Sequence, residues 1–258
     1  VTSDGSGFRP ARTAQLVAGS LRDRILSGEI ADGSHLPKEE DLREELGVSK
    51  GAMREALLIL ETEGLVTVKR GKVGGSVVHL PTRENVAYTM GLVLNAEQVS
   101  VGEVAEALRL FEPQCAALCA LREDRHEALV PELRRINEEM VAHLDDPMSA
   151  VRISRRFHET LVQGCGNGVL TLLTGSLERL WSAHEQAWAA RASSDRSFPP
   201  RNEREQAGHE HDEVVERIAD GDAGVAEVLR SHLVTAQTYP DPEEQRTIDI
   251  SSLRPNGR

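Results

Sequence analysis

A chain of 258 residues is long for one compact domain and comfortable for two, and its formal charge of −12 excludes a uniformly basic, nucleic-acid-coating protein. Three cysteines, Cys115, Cys119 and Cys165, do not make a disulfide scaffold, and there is no charged-then-apolar leader or long apolar run. The expectation is a chain of the reducing cytoplasm, not of a membrane, in which the Cys115 and Cys119 pair fills a core.

The charge is unevenly spread. All four lysines, Lys38, Lys50, Lys69 and Lys72, lie in the first 80 residues, where 11 Lys and Arg face 12 Asp and Glu; residues 81–258 hold 19 against 30. A nearly neutral N-terminal part and an acidic remainder point to two domains with different partners.

Residues 1–11 read as a flexible polar segment. Val17, Leu21 and Ile25, four apart, predict a first helix that Gly28 stops. "EIADGSHLPKEEDL" supplies a turn, and Leu42 and Leu46 mark a short second helix ended by Gly47. Ser49 can cap a third helix, because its hydroxyl can accept an amide hydrogen that the first turn leaves unpaired. That helix carries Ala52, Ala56, Ile59 and Leu60 toward a core and stops near Gly64. "LVTVKRGKVGGSVV" then reads as two strands around a basic, glycine-rich loop. Three short helices and a basic hairpin over residues 12–80 are the winged helix-turn-helix plan.

In that plan the start of the third helix enters the major groove. Ser49 and the helix N-terminal amides suit a phosphate, Lys50 and Arg54 lie four apart on one face, and Gly51 and Ala52 let the backbone approach closely. An arginine there suits a bidentate contact to guanine. Lys69, Arg70 and Lys72 at the hairpin suit phosphates or the minor groove.

With "LPKEEDL", "GVSK", "MREALLIL" and "EGLVTV" in this order, residues 12–79 resemble the DNA-binding domain of the GntR family of bacterial transcription regulators. The resemblance implies DNA contacts at Ser49, Lys50, Gly51, Ala52 and Arg54, and at the wing residues Arg70, Gly71 and Lys72. One departure is Glu40, where many relatives place an arginine.

Pro81 breaks the pattern, and residues 81–100 read as a linker and the first helix of a second domain. Residues 101–238 carry helical spacing throughout, with Pro113 expected to kink the helix over 101–122. The tail, 239–258, lacks a long apolar face and is expected to be peripheral. "EALRLFEPQCAALCA", "RRFHETLVQGCGN", "HDEVVERIADGD" and a later "SHL" make residues 83–238 similar to the all-helical FCD ligand-binding domain of the FadR subfamily. The expected fold is therefore mainly α: an N-terminal winged helix-turn-helix followed by an FCD-type bundle.

His158, His211 and His232 come from separate helices and can meet inside a bundle. The resemblance implies that they hold a zinc-like divalent metal that helps bind a carboxylate effector. Two departures are Ser154, which stands where relatives have an aspartate ligand, and a His211 to His232 spacing one residue short; His209 is an alternative ligand. Arg109, a cation among apolar neighbours, suits the carboxylate of an effector or a salt bridge with Glu106 or Glu112. Trp181 and Trp188, seven apart, pack a core or wall a pocket.

Together these features imply an effector-controlled transcription factor, most simply a repressor. It would bind a short palindromic operator as a homodimer and sense a small organic acid or acyl ligand. One alternative is a zinc enzyme with Glu159 or Glu210 as general base. The sequence has no His-Glu-x-x-His, glycine-rich phosphate loop or Gly-x-Ser-x-Gly elbow, so no enzyme is expected. The other alternative is a metal sensor whose signal is the ion itself.

Overall fold

The computed structural model describes residues 8–69, 75–195, 198–237 and 245–253, and these divide into two compact units at Thr82 and Arg83. In the first unit α1 (Phe8–Leu26) packs along α3 (Lys50–Thr62), and α2 (Glu39–Leu46) joins them. The spacing seen in the sequence is what buries Val17, Leu21 and Ile25 against Met53, Ala56 and Leu60. Local signals set the ends: Gly47 takes a left-handed conformation at φ 63° to close α2, and the Ser49 hydroxyl accepts the Ala52 amide hydrogen at 3.2 Å to open α3. Arg22 grips Glu63 through its Nε and Nη2, tying α1 to the end of α3.

Strands β1 (Val66–Lys69) and β2 (Gly75–Val78) pair antiparallel, Val66 opposite Val78. A third short stretch joins them, since Leu36 donates its amide hydrogen to the Ser76 carbonyl at 2.8 Å and Val78 donates to Ser34. The sheet itself has the two strands that the sequence predicts, and this added stretch is an isolated bridge at His35, too short to carry periodicity. Arg70, Gly71 and Lys72 at the wing tip lie outside the described residues.

The second unit is a bundle of α4 (Arg83–Ala96), α5 (Val101–Ala120), α6 (Arg125–Ala128), α7 (Val130–Ala142), α8 (Pro147–Gly164), α9 (Gly168–Asp195), α10 (Arg201–Asp220) and α11 (Val225–Ala236). Ser100 and Glu103 close a reciprocal capping box at the start of α5, Asp146 caps α8 ahead of Pro147, and Gly221 ends α10 at φ 73°. Helix α5 runs through Pro113, which is buried. One core joins α5, α7, α8, α10 and α11, with Cys115, Cys119 and Cys165 inside it as free thiols. Burial pushes the Cys115 thiol up to about 12, so it stays protonated and inert.

A smaller core forms where α4, α5 and α9 meet around Leu108, Leu180 and Trp181. The described stretch of the tail, 245–253, docks on this core: Ile248 is buried there, and Ile250 and Leu253 pack beside it. It is held by a bridge between Thr247 and Ser100 and by Asn95, whose side-chain amide donates to the Ile248 carbonyl at 2.7 Å. Gly91 of α4 makes room for it, since a Cβ there would stand 2.8 Å from Ile250 Cγ2 and 2.9 Å from Leu180 Cδ2. Gly91→Ala is expected to destabilise this unit by about 1–3 kcal/mol through overpacking. An unchanged thermal midpoint would show that the tail yields without cost.

Candidate functional site

The first turn of α3 presents Ser49, Lys50, Gly51 and Arg54 to solvent, while Ala52 is only 3% exposed and faces the core. Ala52 therefore offers no side chain to a ligand. Its burial follows from its place on the stripe with Ala56 and Leu60. Ser49 already accepts the Ala52 amide hydrogen, which leaves its hydroxyl hydrogen to donate outward. Lys50 and Arg54 line a broad groove together with Lys38, Arg43, Glu39 and Glu40, and Ser76 of β2 forms its far side. Glu39 sits 3.7 Å from Arg54 Nε and steadies a guanidinium that is otherwise two-thirds exposed. Glu40 is exposed on the same groove and would oppose a phosphate there.

In the second unit, α8, α10 and α11 bring His158, His211 and His232 together. All three are buried, and one nitrogen from each lies within 4.8 Å of the others. His209 is exposed on the opposite side of α10, which resolves "HEH" in favour of His211. Phe157 stacks on the His211 ring at 4.1 Å and fixes its plane.

The Nδ1 atom of each ring has a partner. His158 meets Glu112 Oε1 at 2.5 Å, His211 meets Asn137 Oδ1 at 3.1 Å, and His232 meets Glu210 Oε2 at 2.7 Å. Asn137 donates from Nδ2 to the Gly208 carbonyl at 2.9 Å and to Asp212 at 2.6 Å, so its Oδ1 must be the acceptor. His211 then carries its proton on Nδ1 and turns an Nε2 lone pair inward. Glu210 is held below the usual carboxylate range, chiefly by its bond to His232, and so accepts from that ring as an anion.

Burial, with help from neighbouring cations, keeps the His158 and His211 imidazoles neutral by lowering their pKa well below the ordinary value. Burial also pushes Glu112 up to about 7, against the pull of Glu178 and Arg155. In its ionised form Glu112 fixes the His158 tautomer as Asn137 fixes that of His211.

The Nε2 atoms of His158 and His211 stand 3.3 Å apart, and His232 Nε2 is buried with no hydrogen-bond partner among the described residues. Two facing lone pairs and an orphaned third nitrogen are costly as they stand and suit a shared cation. The donor set of three imidazoles is one that zinc accepts, with a fourth position left for water or a ligand oxygen.

A cavity of about 370 Å³ opens beside this cluster, reaching His232, Glu210 and Ser154. Trp188, Phe198, Met140 and Val151 form its apolar wall, and Arg204 lies over the Phe198 ring at 5.4 Å. Ser154, one helical turn before His158, thus faces the cavity. Trp181, by contrast, is a core residue. Arg109 is placed elsewhere: its Nη2 donates to the Gln237 carbonyl at 2.8 Å, fastening α5 to the end of α11, and it does not line the cavity. Its expected partner Glu112 serves His158 instead. Glu112, Asn137 and Arg204 were not singled out as site residues in the sequence.

Comparison with known proteins agrees with both units. Residues 13–75 match the bacterial regulatory proteins of the gntR family, and residues 103–235 match the FCD domain. The Uxu operon regulator of Haemophilus influenzae is 30% identical over 171 residues, covering 66% of this chain and 60% of that one. The Exu regulon transcriptional regulator of Escherichia coli is 27% identical over 183 residues, covering 69% and 66%. The chain thus spans under two thirds of the length of these curated relatives. The solved structure of Streptococcus agalactiae GntR shares the fold, with a TM-score of 0.63 at 19% identity over 87% of this chain and 98% of that one. The relatives are regulators, which leaves the zinc-enzyme alternative without support. With the FCD match alone spanning more than half of the chain, behind a winged helix that matches the gntR description, the protein belongs to the FCD-containing branch of the GntR family of bacterial regulatory proteins.

Proposed function

We propose that this protein is an effector-controlled transcriptional repressor of the cytoplasm, acting as a homodimer on a short palindromic operator. Ser49, Lys50, Gly51 and Arg54, with the backbone at Ala52, address the major groove, and the wing residues Arg70, Gly71 and Lys72 address the flanking backbone. His158, His211 and His232 hold a zinc-like divalent ion. When bound, the ion would supply a positive charge that attracts an effector carboxylate.

The observation that carries this reading is the three inward Nε2 atoms beside a largely apolar cavity in the FCD half of the chain. The effector is a small organic acid or acyl compound, its carboxylate toward His232, Ser154 and Arg204 and its apolar part against Trp188 and Phe198. Arg109 acts on it indirectly, by holding α11 and hence His232 in place.

The decisive experiment measures operator affinity of the full chain with and without small carboxylates shown by calorimetry to bind it. A change of about fivefold or more, the usual lower range of coupling between sites, is the expected result. If no bound carboxylate alters operator affinity, the regulatory reading fails; if zinc alone switches it reversibly, the chain is a metal sensor.

A second variant tests the tautomer argument. Asn137→Ala leaves all three histidines in place but removes the acceptor that orients His211, and it should lower metal affinity by about 10–100-fold. Competition with a chromophoric chelator measures this, and an unchanged affinity would remove Asn137 from the site.

A further inference from the structure

A second cavity, of about 420 Å³, lies between the outward faces of α8 and α9. Its lining carries four arginines, Arg152, Arg155 and Arg156 of α8 and Arg179 of α9, with the carboxylates Glu159 and Glu178 among them, and Glu84, Glu139 and Glu185 meet three of the four from outside the lining. The α8 residues are spaced three and four apart and so share one face of the helix, and this is why three guanidiniums converge from a short stretch of sequence.

Internal pairing engages three of the four arginines and leaves Arg152. Arg152 reaches the Ser149 hydroxyl at 3.4 Å and pairs with no carboxylate among the described residues. Arg179 meets Glu84 at 3.4 Å, and Arg156 pairs with Glu139, both in half-exposed positions where ion pairs exchange readily. Arg155 forms the floor. It is 5% exposed and anchored by Glu185 at 2.7 Å, with Glu178 at 3.7 Å. Ser182 and Gln186 on the α9 wall add neutral donors. Guanidinium forks at this density match ligands with several anionic oxygens, each fork taking two.

We propose that this cavity binds a small polyanion, a metabolite carrying two or more phosphate or carboxylate groups, at a site separate from the three-histidine cavity. Arg155 lines both cavities, so the polyanion acts on the same buried network that borders the effector site. The inference does not depend on the metal or on the effector proposal.

The test is calorimetric titration of the full chain with pyrophosphate and, separately, with citrate, at fixed ionic strength. Saturable binding of either probe is expected, with binding of pyrophosphate alone indicating a phosphorylated ligand and of citrate alone a polycarboxylate. Arg152→Gln and Arg179→Gln, both at half-exposed or exposed positions, should each weaken it by about tenfold, the size of one lost charge-assisted hydrogen bond. His232→Gln, which keeps a donor to Glu210, should leave it unchanged. No saturable binding of either probe, affinity indifferent to both arginine variants, or loss of binding in His232→Gln alone would each overturn the proposal. The last would place the anion at the histidines.

Discussion

Arg54→Ala is expected to abolish discrimination between operator and random DNA while leaving the fold intact. The side chain stands on the exposed face of α3, one turn after Lys50, and its ion pair with Glu39, at 3.7 Å, is long and solvent-exposed. Removing it therefore costs the first unit little stability. A guanidinium in that position can take both acceptors of a guanine, worth about 1–3 kcal/mol of discrimination. A dimer reading two half-sites loses that twice, about 2–6 kcal/mol, or roughly 30-fold and upward in specific affinity. Lys50→Ala makes the contrast, because a phosphate contact carries no sequence information. It should weaken all DNA alike and reduce the slope of log affinity against log salt by about two, one for each half-site. A footprint of Arg54→Ala that matches the unmodified protein in position and affinity would remove α3 from the groove.

The winged helix was legible because its signals are local. Gly28, Gly47 and Gly64 all take positive φ where the sequence has helices stop, and Ser49 caps where a cap was read. The short stretch beside β2 and the docked tail were not legible, since both depend on pairings between distant stretches: Ser34 and Leu36 with β2, Thr247 with Ser100. Three or four residues of tail have no periodicity to betray burial.

The histidine cluster shows both sides of this. Convergence of three helices was an expectation from resemblance, but the groups that orient the rings were hidden among ordinary charged residues. They do leave a trace. Glu112 falls on the stripe of Leu108 and Ala116, and Asn137 on that of Leu133 and Met140, so each is a polar group at a position its helix buries. His211 shares the stripe of Val215 and Ile218, while His209 does not. A polar residue on an apolar stripe must find a partner, and here the partners are the imidazoles. Arg155 belongs to the same class, on the stripe of Val151, His158 and Val162, with Glu178 and Glu185 as its answer from α9. Arg109 follows a related rule: its half-buried position calls for an acceptor, and a backbone carbonyl at the end of the last helix supplies it.

Protein purified without added metal or chelator is expected to carry about one zinc-like ion per chain, and His158→Ala to carry none. The expectation rests on the three Nε2 atoms, because that of His232 has no hydrogen-bond partner among the described residues and those of His158 and His211 face only each other. Removing the His158 ring also strips Glu112 of its hydrogen-bond partner in a fully buried place, so this variant combines lost metal with lost stability. His232→Gln separates the two effects. Its amide can still donate to Glu210, at the less buried edge of the cluster, while a glutamine is a poor zinc ligand. Metal absent from both variants, with helical circular dichroism retained in His232→Gln, supports the site and directs the effector search to small carboxylates. Metal retained in both would place the ion elsewhere. An unmodified protein that holds no metal and takes none up on titration would make the histidines the lining of a metal-free pocket, in which larger acyl ligands become the compounds to test against Trp188 and Phe198.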